Sequence, residues 1–298
     1  MKIVATVVVT YNRKDLLIEN IKSLMQQTKA DEQDIIIIDN NSTDGTYDAL
    51  QQYIANNDII YCNTGANLGG AGGFNYGMRY AVEAGYSFVW VMDDDCMPTK
   101  NCLETFMEYE KENSKTYGFL CSKVLWQDFS ICTMNIPRRT MYQDNKDFKN
   151  KAVQVCMASF VSFFVPARII KEVGLPIKEF FIWTDDWEFS RRISLIYPCY
   201  LLNESIAIHK SKSNIGAKIA TESMARLERF FYLYRNDVYL YRREGLQGFI
   251  YEVIRLAYHA VKILLQSDHK MDRLEKIFQG TLAGLSFDPK IEKIQEKI

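Results

Sequence analysis

The chain has 298 residues, of which 48% are apolar and 24% charged, a composition typical of a globular protein with a sizeable core. Its net charge of −1 excludes a global electrostatic attraction to nucleic acid, and no apolar stretch reaches the roughly 18–20 residues of a membrane-spanning helix. Seven cysteines without a CxxC pair predict reduced thiols in a cytoplasmic protein. Met1 and Lys2 lead straight into an apolar run, so we expect no signal peptide.

Buried strands alternate with helices over the first 92 residues. The predicted strands are short, apolar and rich in β-branched residues, as strands covered on both faces are. They cover residues 3–10, 35–39, 59–62 and 87–92, and the predicted helices cover 13–28 and 71–83. This alternation predicts an α/β domain with a mostly parallel sheet.

Polar residues follow all four of these strands. They are Tyr11-Asn12-Arg13 after the first, Asp39-Asn40-Asn41 after the second, residues 63–73 after the third and Asp93-Asp94-Asp95 after the fourth. Ligands of parallel sheets bind beyond the carboxyl ends of the strands. Because the four strand ends converge on one edge, they predict a binding site more strongly than any single motif does.

The acidic triplet Asp93-Asp94-Asp95 is the most informative of these clusters. Three adjacent carboxylates repel one another, and a compact fold tolerates them best around a cation. A divalent metal that also holds a phosphorylated ligand needs such a site of hard oxygen ligands. The alternative is a solvated acidic turn, since charged runs usually lie at the surface.

A glycine-rich stretch follows the third predicted strand, with four glycines in the five residues 69–73. Glycine lets the backbone approach a ligand closely, and the start of the next helix offers free N–H groups to an anion. The stretch is neither a Walker loop nor a clean GxGxxG fingerprint. A flexible loop is the structural alternative.

A second acidic cluster, Asp185-Asp186, lies among the aromatic residues Phe180, Phe181, Trp183 and Trp187. Partial desolvation there would raise the pKa of a carboxyl group and make it a better general base. Helical ion pairs involving Glu188 and Arg192 are the structural alternative.

His209 ends a strand predicted over 201–208, about twenty residues after the second acidic cluster. A lone histidine is more often structural than a metal ligand, and we expect a structural role for His259 and His269. His209 has a better claim to the metal because of its position.

The rest of the chain divides into a middle segment and a tail. Residues 133–152 are polar and predict a long exposed excursion, residues 153–165 predict strands, and a helix over 167–172 should end at Gly174. We therefore expect two regions, a ligand-binding domain over 1–212 and a helical region over 213–298.

The tail is basic and aromatic. Residues 210–298 contain 16 Lys and Arg against 11 Asp and Glu, whereas residues 1–209 carry a net charge of −6. The segments 226–243 and 248–265 predict two helices with basic and aromatic faces. Packing against the first region is one interpretation, and docking on an anionic membrane surface is the other.

Taken in order, these motifs resemble those of the family 2 inverting glycosyltransferases with the GT-A fold. Within that family the chain is most similar to bacterial galactofuranosyltransferases, and next to rhamnosyltransferases. The resemblance covers residues 3–212 and rests on the sequences VVTYNR at 8–13, DNNS at 39–42, NLGGAGGF at 67–74, MDDD at 92–95, WTDDWE at 183–188, and on His209.

The resemblance implies a role for each site residue. The nucleotide and donor sugar would be held by Thr10, Tyr11, Arg13, Asp39, Asn41, Asn67, Gly69, Gly70, Gly73 and Asp94. Asp93, Asp95 and His209 would bind Mn²⁺ or Mg²⁺. Asp186 would be the catalytic base with Asp185 beside it, although the extra residue in Trp-Thr-Asp-Asp leaves the choice between the two aspartates open.

The same resemblance implies contacts with sugar or acceptor from Trp183, Trp187 and Glu188. The galactofuranosyltransferases carry paired tryptophans that have no obvious match in this chain. Phe163 and Phe164 are the expected substitutes.

The implied activity is the metal-dependent transfer of galactofuranose from UDP-galactofuranose onto a precursor of a bacterial surface polysaccharide, with inversion. Transfer of rhamnose from dTDP-rhamnose, or of a hexopyranose from a UDP-sugar, is the alternative. A non-catalytic nucleotide-sugar-binding protein, a sugar-nucleotide hydrolase and a nucleotidyltransferase are the rival classes. We expect a lipid-linked glycan acceptor, no nucleic-acid partner, and a cytoplasmic enzyme peripheral to the inner face of the plasma membrane. A homo-oligomer is left open.

Overall fold

The structure of the protein is a computed structural model that describes residues 2–294. Its strands are β1 (Val4–Thr10), β2 (Gln33–Asp39), β3 (Ile60–Asn63), β4 (Phe88–Asp93), β5 (Cys96–Pro98), β6 (Leu120–Trp126), β7 (Arg138–Thr140), β8 (Gln143–Asp144), β9 (Ala152–Val155), β10 (Phe163–Pro166) and β11 (Cys199–His209). Its α-helices are α1 (Lys14–Met25), α2 (Thr46–Ala55), α3 (Gly69–Glu83), α4 (Cys102–Asn113), α5 (Ala167–Val173), α6 (Asp185–Ser194), α7 (Arg229–Arg242), α8 (Gly245–Gln266) and α9 (Lys270–Ser286).

One sheet organises the fold, with strand order β3-β2-β1-β4-β10-β6-β11-β5 and β9 paired beside β11. The first four strands in this order are parallel, and their register places Thr10 opposite Asp39 and Val9 opposite Asp93. Three of the strand ends that carry polar residues are therefore neighbours, as the sequence predicts. The second half is mixed, because β10 runs antiparallel to β4 and β6.

The apolar strands are buried because helices cover both faces of the sheet. On β1, Val7 and Val9 pack in the layer that contains α3, whereas Val4 and Val8 pack in the layer that contains α1. The α/β prediction is confirmed. None of the seven cysteines, all within the described residues, is paired in a disulfide.

The predicted exposed excursion over 133–152 is wrong in part. This segment contains the short β7–β8 hairpin, and Asn135 and Met141 within it are buried. Arg138 lies over the ring of Trp187, 3.9 Å from its centroid. The segment therefore lies against the second acidic cluster, and its polar residues are used in contacts that local composition does not reveal.

The C-terminal helices are packed on the sheet domain through α7. Tyr239 of α7 packs against Phe180, and Phe230 packs against Trp183. No helix within residues 2–294 has both the length and the apolar character required to cross a bilayer.

Candidate functional site

The acidic triplet lies at the end of β4 and is tied to the loop after β1. Thr10 Oγ1 donates a hydrogen bond to Asp94 at 2.7 Å. One guanidinium nitrogen of Arg13 lies 3.2 Å from Asp94 and 2.6 Å from Asp95. Asp94 and Asp95 are both buried, so the solvated acidic turn is excluded.

His209 closes this cluster from the end of β11. Its Nε2 lies 3.1 Å from Asp95 Oδ1, and its Nδ1 lies 2.8 Å from Asn135 Oδ1. Burial opposes a charge on the imidazole, but the hydrogen bonds with Asp95 and Cys132 outweigh it and raise the pKa of His209 to about 10. The structure thus brings His209 to the triplet, as its position in the sequence suggests.

The three aspartates are not electrostatically equivalent. Burial, reinforced by the charge of Asp95, raises the pKa of Asp93 to about 7. Burial also raises the pKa of Asp94 to about 6, against the opposing effect of Arg13. For Asp95, burial is outweighed by His209 and Arg13, which lower its pKa. The negative charge of the triplet is therefore concentrated on Asp95.

These groups are the ones that could hold a divalent metal. Within residues 2–294, no three His, Cys, Asp or Glu side chains are preassembled in a metal-binding group. Asp95 and His209 nevertheless place a carboxylate oxygen and an imidazole nitrogen side by side. In the same described range, Asp93 has no hydrogen-bond donor or ion-pair partner from the protein. This set of oxygen and nitrogen donors fits Mn²⁺, and its carboxylates fit Mg²⁺.

Asp39 is held at the end of β2 in the same sheet edge. Its two oxygens accept hydrogen bonds from the Ser42 N–H at 2.8 Å and from the Tyr61 hydroxyl at 2.7 Å. Asn41 adopts the left-handed conformation with φ of 63°, and Tyr11 is exposed beside this turn. The side chains predicted to hold a nucleoside thus surround the ends of β1 and β2.

The glycine-rich stretch forms the first turn of α3, so the flexible-loop alternative is wrong. A Cβ on Gly69 would lie 2.0 Å from the Phe181 carbonyl oxygen, and one on Gly73 would lie 2.5 Å from Val9 Cγ1. These two glycines let α3 approach its neighbours. Gly70 has no atom within 4 Å of such a Cβ, so it faces open space. Asn67 accepts a hydrogen bond from the Gly69 N–H at 2.9 Å.

Asp185 and Asp186 begin α6. Asp186 Oδ1 accepts a hydrogen bond from the Trp187 N–H at 2.7 Å, and Asp186 is less buried than Asp185. Burial raises the pKa of Asp186 to about 7. Burial, then the charges of Asp186 and Asp93, raise the pKa of Asp185 well above its usual value. The electrostatic effect of Asp93 on Asp185 indicates that the two acidic clusters lie near each other.

Other predicted contacts with sugar or acceptor have structural partners. Both oxygens of Glu188 are bound by Arg192, at 3.0 and 2.8 Å, which confirms the predicted helical ion pair. Trp187 lies beneath Arg138, and Trp183 packs on Phe230. Both tryptophans keep part of their surface exposed.

Phe163 and Phe164 do not replace the paired tryptophans. Both are fully buried within β10, where they pack in the hydrophobic core on opposite faces of the sheet. Adjacent aromatic residues occur in buried strands as well as in sugar-binding sites, and the sequence alone does not distinguish the two cases.

Sequence reasoning missed several residues that build the site. Asn135, in the segment predicted to be exposed, accepts the hydrogen bond from His209. Asn236 and Asp237 contact the segment before Asp185. This last pair had a signal in the sequence, because two small polar residues interrupt the aromatic face of a predicted helix.

Comparisons with known proteins agree with this architecture. The sequence model of glycosyl transferase family 2 matches residues 6–166. The chain is 22% identical over 278 residues to galactofuranosyltransferase GlfT1 of Mycolicibacterium smegmatis, covering 83% of this chain and 85% of the relative. It is 24% identical over 274 residues to galactofuranosyltransferase GlfT1 of Mycobacterium tuberculosis, covering 82% and 84%.

Solved structures show the same fold. The structure of TarS 1-349 from S. aureus in complex with UDP has a TM-score of 0.57 and 17% identity, covering 96% of this chain and 72% of that one. The mannosyltransferase PcManGT from Pyrobaculum calidifontis, in complex with GDP-Man and Mn²⁺, also has a TM-score of 0.57, with 14% identity and coverage of 96% and 76%. By the match to more than half of its residues, the chain belongs to glycosyl transferase family 2 and has the GT-A fold.

Proposed function

We propose that this glycosyltransferase moves galactofuranose from UDP-galactofuranose onto a hydroxyl of a surface-glycan precursor, with inversion at the anomeric carbon. One structural observation supports the transfer chemistry: Asp95 and Asp186 differ in charge state, and they belong to two acidic clusters close enough for the charge of Asp93 to raise the pKa of Asp185. Asp95 is ionised and paired with cations, whereas Asp186 is raised to a pKa of about 7 without one. The choice of sugar is supported by the near full-length similarity to two galactofuranosyltransferases.

Asp186 is the base in this proposal, and Asp185 is its neighbour. Asp186 is the more accessible of the two, and Asp185 has the pKa raised well above its usual value. In this proposal the proton of the pair rests on Asp185, and Asp186 is the carboxyl group that ionises near neutral pH. Asp186 takes the proton of the acceptor hydroxyl as the hydroxyl oxygen forms a bond to the anomeric carbon. The bond from that carbon to the diphosphate breaks on the opposite face.

Asp95 and His209, with Asp93 beside them, would hold Mn²⁺ or Mg²⁺. When bound, such a metal neutralises the charge that develops on the diphosphate leaving group. The residues of this chain supply the rest of the site. Arg13 keeps Asp95 ionised, and Asn135 orients the imidazole through Nδ1, so that Nε2 points at the carboxylate.

The donor nucleotide lies at the ends of β1 and β2 in this proposal. Arg13 and Asp39 hold the nucleoside, Asp94 is fixed by Thr10, and Gly70 offers open space at the start of α3. General base assistance is worth about 10²–10⁴ in rate, so positioning of donor and acceptor must supply the rest. The acceptor is lipid-linked in our proposal, which would place the enzyme at the inner face of the membrane.

A donor screen tests the proposal. The enzyme is incubated with Mn²⁺, an alkyl galactoside acceptor and one of UDP-galactofuranose, UDP-galactopyranose, UDP-glucose or dTDP-rhamnose, and released nucleotide is measured. Reactions without acceptor correct for hydrolysis, and the Asp186→Asn variant gives the background. We expect release from UDP-galactofuranose at least tenfold above the others. Preference for dTDP-rhamnose would reject the sugar but not the transfer mechanism, and release no faster than the variant with every donor would reject both.

A further inference from the structure

The backbone before the proposed base is strained. Phe181, Trp183 and Thr184 have φ values of 63°, 65° and 68°, in the left-handed region that bulky and β-branched residues rarely adopt. Such a conformation persists only where the surroundings over-determine it. Asp185 follows directly, so the position of both catalytic-site aspartates depends on what holds this segment.

Asn236 of α7 holds the strained segment by its carbonyl groups. The two N–H groups of its Nδ2 are shared among the carbonyl oxygens of Phe180 at 3.0 Å, Ile182 at 3.2 Å and Trp183 at 3.0 Å. Asn236 is fully buried. The Phe180 carbonyl also accepts from the Ile182 N–H at 2.7 Å, so Asn236 matters most for the carbonyl groups of Ile182 and Trp183, which receive no helix or strand hydrogen bond in the described range.

Asp237 holds the residue that precedes the aspartates. Thr184 Oγ1 donates to Asp237 Oδ1 at 2.6 Å, and the other oxygen of Asp237 lies 2.8 Å from Arg255 of α8. Arg255 also binds both oxygens of Glu252, so the buried charges form one paired network. The network connects α8 to α7, and α7 to Thr184 immediately before α6.

From these contacts we propose that Asn236 and Asp237 are positioning residues that set the geometry of Asp186. The proposal rests on the function proposed above, since it assigns the base to Asp186. It gives α7 a role in the reaction, although α7 lies more than forty residues beyond Asp186 in the chain. Neither residue touches the reacting atoms.

The test compares Asn236→Ala with Asn203→Ala. Asn203 is also buried and donates to a loop carbonyl, that of Asn150 at 2.7 Å, but this contact lies on β11 and outside the strained segment. We expect Asn236→Ala to lower kcat about 10- to 100-fold, with the Kd for UDP within twofold, since small misplacements of a catalytic group have effects of this size. Equal kcat values for the two variants would overturn the proposal.

Asp237→Asn tests the pH dependence of kcat, which would not change if Asp237 only stabilised the fold. It keeps the acceptor for Thr184 and removes one negative charge. The charged groups that act on Asp186 are Asp185 on its own helix and Asp237 on α7, and Asp237 is in turn paired with Arg255 of α8, which also binds Glu252. The charge of Asp237 contributes to the raised pKa of Asp186, so the acidic limb of the kcat profile should move to lower pH. If the acidic limb of the kcat profile stays at the same pH, Asp237 does not have this role. This test remains valid even if Asn236→Ala does not fold.

The outcomes separate this proposal from the proposed function. If Asp186→Asn keeps full turnover, the base assignment fails and the positioning role fails with it. If Asp186→Asn is inactive while Asn236→Ala and Asp237→Asn behave like Asn203→Ala, only the positioning role is lost.

A second observation concerns the outer face of α8. This face is apolar over five turns and consists of Leu246, Phe249, Ile250, Val253, Ile254, Ala257, Tyr258, Val261, Leu264 and Leu265, all exposed. No charged residue of α8 is exposed. A contiguous exposed apolar patch of this kind marks a surface that another molecule covers, so a partner is expected on this face.

The size of the face matches an interface between proteins. Nine large side chains that are 49–75% exposed amount to roughly 1,000 Å² of apolar surface, more than the largest patch of a typical monomer. Stable interfaces bury about 800 Å² per partner, with few charges at their centre.

The charges around the face favour a protein partner over an anionic membrane. Several basic residues of the tail are bound within the chain, including Arg235, Arg255 and Arg273. On the neighbouring α9, the acidic Glu275 interrupts the exposed apolar row of Met271, Phe278, Leu282 and Leu285. We infer that the outer face of α8 binds a second copy of this chain.

Sedimentation of the full chain tests this inference. We expect a dimer or larger assembly for the unaltered protein and a monomer for Val253→Glu, while Leu195→Glu, which alters an exposed apolar residue at the end of α6, leaves the assembly intact. A monomer at tens of micromolar would overturn the inference. So would binding of the unaltered protein to vesicles of phosphatidylglycerol that Val253→Glu abolishes without a change in assembly.

Discussion

Asp95 in the triplet and Asp186 in the aspartate pair are the same kind of side chain in opposite electrostatic settings. Asp95 is bound by Arg13 and His209, which lower its pKa. Asp185 and Asp186 have no Lys or Arg partner in the described part of the chain, and burial raises the pKa of both. An ionised, paired carboxylate suits a cation and a diphosphate, whereas a carboxylate poised near neutrality suits proton transfer. The comparison indicates that environment, not residue type, assigns the two roles.

Substitution of the proposed base, Asp186, should have the largest effect on activity. Asp186→Asn keeps the hydrogen bond from the Trp187 N–H but cannot accept a proton, so we expect kcat to fall about 10²- to 10⁴-fold. The affinity for UDP should change less than twofold, because the triplet is intact. Initial rates and calorimetric titration with UDP measure the two quantities.

The matched control for this change is Asp185→Asn. Asp185 is protonated at neutral pH in our proposal, and an amide resembles a protonated carboxyl group, so kcat should fall far less than in Asp186→Asn. The reverse order of the two variants would assign the base to Asp185 and settle the ambiguity of the Trp-Thr-Asp-Asp sequence.

Substitution of Asp95 should have the next largest effect. It should weaken metal-dependent binding of UDP and leave the proton-transfer step unchanged. In Asp95→Ala, we expect the Mn²⁺-dependent gain in UDP affinity to fall about 10²-fold, because a metal ligand is lost and Arg13 and His209 lose their shared partner. UDP titrations with Mn²⁺ and with EDTA measure this gain. Asp185→Asn is the control and should retain it; an unchanged gain in Asp95→Ala would remove Asp95 from the metal site.

The pH profile of kcat tests whether burial sets the pKa of Asp186. Burial raises the pKa of Asp186 to about 7, so the base is ionised above this pH and protonated below it. We expect kcat to be constant above about pH 8 and to fall nearly tenfold per unit well below pH 7. Rates measured with saturating donor between pH 5.5 and 9 test this. An acidic limb near the usual pKa of an aspartate would mean that burial does not control Asp186.

Much of the fold and half of the site could be predicted from sequence for a simple reason. The strands are continuous apolar runs, and the polar residues that end them must share an edge when the strands are parallel. Asp39, Asp93 and the residues near them were found by this rule alone. His209 required only that a late strand return to the same edge.

The remaining half depends on contacts between distant segments, which no local pattern encodes. Asn135 lies in a stretch whose polar composition suggested exposure, yet its oxygen orients His209. Asn236 lies in a helix whose aromatic and basic residues suggested a membrane surface. A buried polar residue is recognisable only when its partner is known, so tertiary structure was needed to find both.

We expect the smallest effects from removing two threonine hydroxyls, each of which donates a hydrogen bond to a carboxylate in or beside one of the two acidic clusters. Thr10 donates to Asp94 in the triplet, and Thr184 donates to Asp237 next to the aspartate pair. Replacement of either by valine keeps the shape and removes one hydrogen bond to a carboxylate. We expect Thr10→Val to weaken UDP binding and Thr184→Val to lower kcat, each by about three- to tenfold, since water or a neighbour compensates part of a bond to a charged group. Steady-state kinetics and UDP titration of both variants distinguish the effects. If both variants change the same parameter, the two clusters do not divide binding and proton transfer between them, because the Thr10 hydroxyl contacts only the triplet and Thr184 adjoins only the aspartate pair.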